Sequence, residues 1–583
     1  MNEFIDLFSE HPDPSIKVPV VCAVLFFLIF LHCAGQIPPG GGPIDTTPPT
    51  IVATRPDTNS VRVQTNSIEI EISEYVDRRS VEESIFISPF VGDLEFDWSG
   101  TEVSVTFSGP LRKNTTYVVN VGTDVKDLRA QNRMAAGFTL AFSTGDSIDQ
   151  GFISGRVFDE SPEGVMIFAY SLQGIHPDTL NPGQAKPDYI MQTGKQGLFA
   201  LANIAFGTYR VFAVRDQYRN LLYDKQIDNY GVAPGDITID AANPGVHDVW
   251  FKLSQEDTTK PFVTKAEALN SRLVQVRFSE PLDSLTMQRA EFQIADTLTD
   301  TQVGVALQYL SRTTPSLTVV ITDSDLDSNV VYRLRVREVT DRAGNAIDSV
   351  HNRYEFTGTN VPDTLKATMT VHALKDSARG VSLDGHIEIQ FSEPVRQAAL
   401  RRGIRLVRIA HTSTTTDVHS DIQWLNPTDV AIIPRIPLEA KTWYQIEVVM
   451  DSVSDLNGNR YADSTFVLRF ETLDLRTTGT VEGIVVDRKG GATGGNIYVT
   501  AKSIDRGTAY EKTVRLQKPG KFTMEQIVEG RYTMNAFRDS DNSGSYSFGL
   551  PYPFVSSERF AVYADTLKVR ARWGVEGVVV EIK

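Results

Sequence analysis

Oxygen-bearing side chains near the end of the chain follow a spacing that suits calcium. Calcium loops take oxygen ligands from alternate positions of a twelve-residue stretch and need glycine at the sixth for a sharp turn. Here the sixth position is Gly544, and the twelfth, where a chelating glutamate is usual, is Leu550. The alternate positions before and after the glycine predict these calcium ligands: Asp539, Asp541, Ser543 and Ser545.

Another carboxylate would have to replace the missing twelfth ligand, and Glu558 is the candidate. A related stretch earlier in the chain, Asp216–Asn220, lacks the alternating oxygens. A plain polar turn therefore remains the alternative to a calcium site. Apart from this possible Ca²⁺, the sequence predicts no cofactor.

Aromatic residues follow this loop among glycines and prolines, and three of them are candidates for binding: Tyr546, Tyr552 and Phe554. Exposed aromatic rings in a loop can stack on sugars or anchor a protein partner. The alternative is that the rings pack beneath their own loop.

Catalytic spacings are absent from the sequence. We find no metalloprotease His-Glu-x-x-His, nucleophile-elbow Gly-x-Ser-x-Gly, phosphate-binding loop or dinucleotide fingerprint. The single local histidine cluster, interpreted as a threonine-rich hairpin loop rather than a zinc site, comprises His411, Asp417, His419 and Asp421. A Ser-Glu pair recurs at 73/74, 279/280 and 392/393, and its repetition favours a role in the fold over a single active site. We expect no enzyme activity.

Composition indicates several folded domains that do not bind nucleic acid. The 583 residues are 41% hydrophobic and 22% charged, which is ordinary for globular protein, and the net charge is −16. A nucleic-acid partner would need a concentrated basic face. The chain has only short basic runs among acidic stretches.

Both cysteines lie near the start of the chain. Val18–Leu31 is an unbroken apolar run, short for a membrane span and suited to a signal peptide. The Cys33-Ala-Gly sequence that follows resembles a bacterial lipoprotein processing site, which implies cleavage after residue 32 and a lipid on Cys33. The alternative is an uncleaved helical anchor. Either way we expect Cys33 at a membrane and the remainder outside the cytoplasm.

Three copies of one strand pattern occupy about half of the chain. An alternating run ends in Ser-Glu at 68–74, 273–280 and 387–393. A tyrosine-led strand follows at 117–121, 332–336 and 444–448, then a turn containing Asp and Asn, then a last strand. These residues resemble the SbsA-type bacterial Ig-like domain, a β-sandwich found in tandem in envelope proteins. The leader from 33 to 49 is similar to that of lipoproteins from Bacteroidetes-type bacteria.

A second pattern occurs twice, and every matching pair of positions is separated by the same distance along the chain. Gly197-Leu-Phe, Gly207-Thr-Tyr and Arg215-Asp recur as Gly520-Lys-Phe, Gly530-Arg-Tyr and Arg538-Asp. This unit resembles the carboxypeptidase regulatory-like, prealbumin-type β-sandwich, and the resemblance implies a fold without catalytic machinery.

The predicted architecture is therefore all-β, with five tandem β-sandwich modules after the signal segment 1–32 and a lipidated linker 33–46. In chain order, modules 1 to 5 cover 47–149, 150–256, 257–362, 363–478 and 479–583. Modules 1, 3 and 4 are Ig-like, and modules 2 and 5 are prealbumin-like. Short linkers predict a bent rod. We expect an outer-membrane lipoprotein, facing the periplasm, that acts as a scaffold for other envelope proteins. The alternative is a surface protein that binds glycans or mediates adhesion.

Overall fold

The computed structural model describes residues 45–410, 414–460, 465–487, 494–505 and 510–583. The predicted signal segment, Cys33 and His411 lie outside these ranges. Within them, no helix has the length and apolar character needed to cross a membrane.

Module 1 is a sandwich of two antiparallel sheets, with strand orders β1-β2-β5-β4 and β3-β6-β7. A short helix, α1, covers Arg78–Glu82. The strands are β1 Ile51–Arg55, β2 Ser67–Ile72, β3 Ile85–Ser88, β4 Leu94–Ser99, β5 Glu102–Phe107, β6 Thr116–Val121 and β7 Phe138–Ser143.

Module 2 pairs a three-stranded sheet, β11-β8-β15, with a larger sheet, β10-β9-β12-β13-β16, and β14 also pairs with β12. A 3₁₀ turn covers Pro177–Thr179. The strands are β8 Gly151–Phe158, β9 Met166–Ser171, β10 Tyr189–Gln192, β11 Leu198–Ile204, β12 Gly207–Arg215, β13 Asn229–Val232, β14 Ile237–Ile239, β15 Gly245–Lys252 and β16 Ser254–Gln255.

Module 3 repeats the arrangement of module 1, with sheets β17-β18-β22-β21 and β20-β19-β23-β24. A 3₁₀ helix covers Ser284–Gln288. The strands are β17 Val263–Ala268, β18 Leu273–Phe278, β19 Glu291–Asp296, β20 Gln302–Val303, β21 Val305–Leu310, β22 Leu317–Thr322, β23 Val331–Arg337 and β24 Arg353–Thr357.

Module 4 has the same core order in β25-β27-β31-β30 and β26-β33-β32-β28-β29. Helix α2 covers Gln397–Gly403, and 3₁₀ turns cover Met450–Ser452 and Leu475–Thr477. The strands are β25 Met369–Val371, β26 Ala378–Val381, β27 Ile387–Phe391, β28 Ile404–Ile409, β29 Thr415–Asp417, β30 Ser420–Trp424, β31 Asp429–Pro434, β32 Trp443–Val449 and β33 Thr465–Thr472.

Module 5 reproduces module 2, with sheets β37-β34-β41 and β36-β35-β38-β39, and β40 paired with β38. The first strand of each module makes a parallel pair near the end of the module, β8 with β15 in module 2 and β34 with β41 in module 5. The strands are β34 Thr478–Asp487, β35 Asn496–Ser503, β36 Glu511–Leu516, β37 Gly520–Val528, β38 Gly530–Asp539, β39 Phe560–Val562, β40 Leu567–Val569 and β41 Gly574–Ile582.

A buried tyrosine fixes one corner of each Ig-like module. Tyr117, Tyr332 and Tyr444 stack on a phenylalanine of the last strand at 5.6, 5.8 and 5.7 Å. Each hydroxyl also accepts a hydrogen bond from the backbone amide five residues upstream, at 2.7, 3.0 and 2.9 Å. The tyrosine-led strands of the sequence pattern are thus β6, β23 and β32, and the tyrosine closes the turn before its own strand.

Removing one of these hydroxyls is expected to destabilise its module. Tyr444→Phe leaves the partly buried Glu439 amide without its acceptor, which should cost about 1 kcal/mol, the usual worth of one such hydrogen bond. Thermal unfolding together with amide hydrogen exchange over residues 436–444 measures the effect. Tyr75→Phe is the control, since Tyr75 is 64% exposed. Equal protection in the Tyr444→Phe variant and the native chain would contradict the assigned corner.

Neighbouring modules touch through defined contacts. Between modules 1 and 2, Asn120 Nδ2 donates to the Ile190 carbonyl at 2.7 Å, and the Ile190 amide donates to Ser88 Oγ at 3.1 Å. Module 5 also reaches back to module 2, where Lys583 Nζ lies 2.8 Å from Asp248 Oδ2. Aromatic side chains that follow β38 also pack against module 2, a contact that the predicted bent rod did not include.

Candidate functional site

Each Ig-like module gathers three carboxylates where the incoming linker meets the end of its second strand. The glutamate of every Ser-Glu pair takes part, joined by an aspartate from the linker and one from the turn that contains Asp and Asn. One oxygen of each lies within 4.8 Å of the others. The clusters are Asp45, Glu74 and Asp127; Asp257, Glu280 and Asp341; and Asp363, Glu393 and Asp455.

The serine of each pair joins the linker side of the module to the second strand. The Oγ atoms of Ser73, Ser279 and Ser392 each accept a hydrogen bond from a backbone amide. The donor is the residue just before the first strand of the module, at 3.0, 3.1 and 2.8 Å. The predicted role of the Ser-Glu pairs in the fold is thus a hydrogen bond made by the serine. The glutamate beside it points into the acidic cluster.

The turn asparagine holds the linker in place. Asn132, Asn345 and Asn459 donate from Nδ2 to the backbone carbonyl of the linker aspartate, at 3.0, 2.9 and 3.1 Å. In modules 3 and 4 the same amide group also donates to the turn aspartate, at 2.8 and 2.7 Å. One residue therefore ties the linker to the turn in all three modules.

The glutamate of each acidic cluster has a raised pKa. Burial raises the pKa of Glu74, Glu280 and Glu393, and the two neighbouring aspartates raise each further. For Glu393 the pKa reaches about 7. Glu280 Oε1 is inaccessible to solvent and accepts no hydrogen bond from the described residues. Three carboxylates so arranged supply the hard oxygen ligands that Ca²⁺ prefers.

A fourth acidic cluster lies in the loop for which the sequence predicts calcium binding. Asp539, Asp541 and Glu558 bring oxygens within 4.8 Å of one another, so Glu558 does fold toward the loop. Ser543 Oγ donates to the Ser545 carbonyl at 2.8 Å, and the Ser545 amide donates to Ser543 Oγ at 3.3 Å. Calcium binding through these two serines stays a prediction.

Hydrogen bonds already engage the three carboxylates. Glu558 accepts from the Ser540 and Ser547 amides at 2.6 and 3.1 Å. Asp539 accepts from the Ser543 and Gly544 amides at 3.0 and 3.1 Å. Glu558 itself is buried, and that burial raises its pKa. The loop is closed by its own amides, and its calcium affinity stays a prediction.

Calcium addition tests this loop directly. If Asp539, Asp541 and Glu558 bind Ca²⁺, calorimetry on the full chain should detect binding in the micromolar to millimolar range typical of incomplete sites. Glu558→Gln should weaken calcium binding at one class of sites by at least about tenfold, because the substitution removes a negatively charged ligand. Glu525→Gln, at an exposed position of the same module, is the matched control. A flat titration at millimolar calcium would exclude the calcium interpretation.

The predicted binding aromatics fall into three environments. The Tyr546 ring packs edge-on against Phe537, Phe548 and Phe560, with centroids at 6.0, 4.9 and 5.6 Å. Phe554 lies against module 2, with the Arg210 guanidinium carbon 3.6 Å from its ring centroid. Tyr552 is 40% exposed. Of the three, Tyr552 alone presents an open ring for stacking.

Sequence reasoning missed the linker aspartates. A signal was available, because Asp-Thr stands at 45/46, 257/258 and 363/364, just ahead of the first strand of each Ig-like module. Of the histidine cluster, Asp417 pairs with Arg405 and Asp421 with Arg435, while His411 lies outside the described residues.

Comparison with known proteins identifies two of the modules. The profile of a bacterial Ig-like domain matches residues 45–144 and 363–472. The search of curated proteins returns no match.

Among solved structures, the N-terminal part of the bacterial S-layer protein SbsC is 14% identical, with 36% of this chain and 44% of that chain covered and a TM-score of 0.16. The four N-terminal Ig domains of Dscam1 are 10% identical over 73% and 98% of the two chains, with a TM-score of 0.17. An L,D-transpeptidase from Mycobacterium smegmatis is 12% identical over 36% and 90%, with a TM-score of 0.14.

The chain spans less than half of the SbsC fragment. The two stretches that the profile matches fold as two-sheet β-sandwiches, modules 1 and 4, and module 3 shares their strand order. Residues 45–144 and 363–472 are bacterial Ig-like domains within a chain of tandem β-sandwich modules.

Proposed function

We propose that this protein is a non-catalytic scaffold of the bacterial cell envelope that holds partner proteins at fixed spacing. One observation carries the proposal: in each of the three Ig-like modules, an asparagine at the equivalent position ties the incoming linker to the turn. A linker fixed at its carbonyl cannot act as a free hinge at that residue. We call this asparagine–linker hydrogen bond the linker clamp. Its repetition in all three Ig-like modules favours a chain in which the angle between a module and its incoming linker is fixed.

Direct contacts between modules support the same function. Arg312 of module 3 forms an ion pair with Glu388 of module 4 at 2.5 Å, and the Glu388 side chain is 15% exposed. Gln192 of module 2 donates to Asp124 of module 1 at 3.0 Å. The Ig-like fold contributes surfaces and spacing and has no catalytic residues of its own, so function must come from sites on its surface.

We further propose that a lipid on Cys33 attaches this scaffold to the outer membrane. The apolar run before Cys33 and the cysteine-free modules support this proposal. Acyl chains contribute about 0.8 kcal/mol per buried methylene, so several chains give a stable anchor. The absence of an acidic run after Cys33 favours the periplasmic face over the cell surface.

Protease treatment of intact cells tests the location. The native chain and Cys33→Ala are compared by immunoblot against module 5, before and after the outer membrane is opened. We expect the native chain to resist until opening and to stay with the membrane fraction, while Cys33→Ala is released. Digestion on intact cells would instead place the modules on the surface, and identical fractionation of the two proteins would refute the lipid anchor.

A glycan-binding or adhesive role is the second candidate. Exposed aromatic rings in module 5 favour it, since Tyr552 is 40% and Trp573 72% exposed. Sugar arrays with the native chain, Tyr552→Ala and Phe554→Ala distinguish the two functions. Glycan binding that Tyr552→Ala abolishes would support adhesion, and an array without signal would support the scaffold.

A further inference from the structure

The loop between β38 and β39 crosses from module 5 to module 2. Tyr230 of module 2 donates its hydroxyl hydrogen to the Gly549 carbonyl at 2.9 Å, across 319 residues of sequence. Leu550 and Phe554 pack partly buried against the second hydrophobic cluster of module 2. The contact therefore extends beyond surface charges into the apolar interior.

Module 2 holds the receiving surface in position without help from module 5. The Arg210 guanidinium binds Asp236 through two nitrogens at 2.8 and 2.9 Å and donates to the Pro177 carbonyl at 2.7 Å. Its side chain is only 3% exposed. These bonds orient the flat guanidinium on which the Phe554 ring lies, a favourable cation–π geometry. Phe212 meets the same ring edge-on at 6.2 Å.

A second group of contacts lies at the other end of the loop. Phe560 is 5.5 Å from Phe158 and 5.7 Å from Trp250 of module 2. The Lys252 ammonium lies 4.3 Å from the Tyr546 centroid and 4.4 Å from the Phe560 centroid. Lys583 pairs with Asp248 beside them. The interface thus combines aromatic rings with cations at both ends.

We propose that the β38–β39 loop is a releasable clasp that closes modules 2 to 5 into a ring and covers the aromatic and cationic face of module 2. The covalent chain already joins module 2 to 3, 3 to 4 and 4 to 5, so this contact supplies the last connection. Among the described residues no strand pairing joins modules 2 and 5; side chains and one backbone carbonyl make the contact. Such a contact opens without unfolding either sandwich.

Closure is favoured because it is intramolecular. The two intervening modules keep the loop near its receptor surface at a high effective concentration, so weak contacts suffice to hold the ring. Opening would lengthen the chain and expose Phe158, Arg210 and Trp250 to a partner. The clasp would then control both the length of the scaffold and access to one of its faces.

Distance measurements between modules 2 and 5 test the clasp. The chain has only Cys22 and Cys33, so Cys22→Ser and Cys33→Ser leave a background free of thiols. Spin labels on cysteines introduced at Ala242 and Ala564, which are both exposed, report the separation in the full chain. We expect one narrow distance distribution in this background.

Variants that weaken the contact between modules 2 and 5 then distinguish a releasable clasp from a rigid interface. Phe554→Ala with Lys583→Glu removes the ring and reverses the charge opposite Asp248, and should shift at least half of the population to longer, broader distances. Tyr552→Ala, in the same loop but away from these contacts, should leave the distribution unchanged. Hydrogen exchange in β34 and β38 verifies that module 5 stays folded. An unchanged distribution in the double variant, or a broad one in the starting chain, would overturn the proposal.

Discussion

Asp487→Ala is expected to lower the free energy of unfolding of module 5 by about 3–5 kcal/mol, because it leaves two guanidinium groups buried without their carboxylate. Asp487 lies at the end of β34, and its side chain is fully buried. Arg538 and Arg559 both bind it, at 2.8 Å from Arg538 and 3.0 Å from Arg559 Nη2. The side chains of the two arginines are only 6% and 10% exposed.

The two arginines also tie both ends of the clasp loop to Asp487, since Arg538 precedes the loop and Arg559 ends it. Chemical denaturation of the full chain, followed by hydrogen exchange in module 5, measures the loss. Glu267→Ala, which removes an exposed ion pair with Lys265, should cost less than about 1 kcal/mol. A loss in Asp487→Ala no larger than in this control would show that the buried pair does not stabilise the module.

The second large effect concerns pH. The raised pKa of Glu393, about 7, arises from burial and then from Asp363 and Asp455. Folding therefore favours the protonated acid, whereas the unfolded carboxyl titrates near its ordinary value. The free energy of unfolding of module 4 should fall as pH rises from about 4.5 to about 7, by about 1–3 kcal/mol in metal-free buffer, and level off above.

Glu393→Gln should remove this slope and stabilise module 4 above pH 7, since the amide carries no charge. Thermal unfolding between pH 5 and 8 in chelator, resolved by hydrogen exchange in module 4, measures both effects. Glu439→Gln is the control, because the Glu439 side chain is 57% exposed and pairs with Arg408. An unchanged slope in Glu393→Gln would assign the pH dependence to other groups.

The strands of the Ig-like modules could be predicted because alternation and tyrosine position are local properties. The run at 68–74 becomes β2 with Ile68, Ile70 and Ile72 buried, as period two requires. The constant separation between the two copies of the second pattern likewise predicted the shared topology of modules 2 and 5. In these modules Tyr209 and Tyr532 each donate to a carbonyl four residues upstream at 2.7 Å.

The acidic clusters and the clasp depend on distant residues and could not be derived from periodicity. Glu393 meets Asp363 and Asp455 through the folding of a linker and a turn onto one strand end. Phe554 was a candidate for sugar stacking because it lies in an aromatic-rich loop among glycines and prolines, with packing beneath that loop as the alternative. Its partner, Arg210, belongs to a different module far back along the chain, and no local signal marks a side chain that a distant module will cover.

Fixed geometry at the module junctions is the central claim, and the junction between modules 3 and 4 tests it most directly. Labels at Leu298 and Ile436, which are 92% and 71% exposed, report its separation without disturbing either core. The measurement uses the chain opened by Phe554→Ala and Lys583→Glu, so that the clasp cannot hold the junction. We predict a single narrow distance distribution that broadens when Asn459→Ala removes the linker clamp. A broad distribution before that substitution would contradict the scaffold.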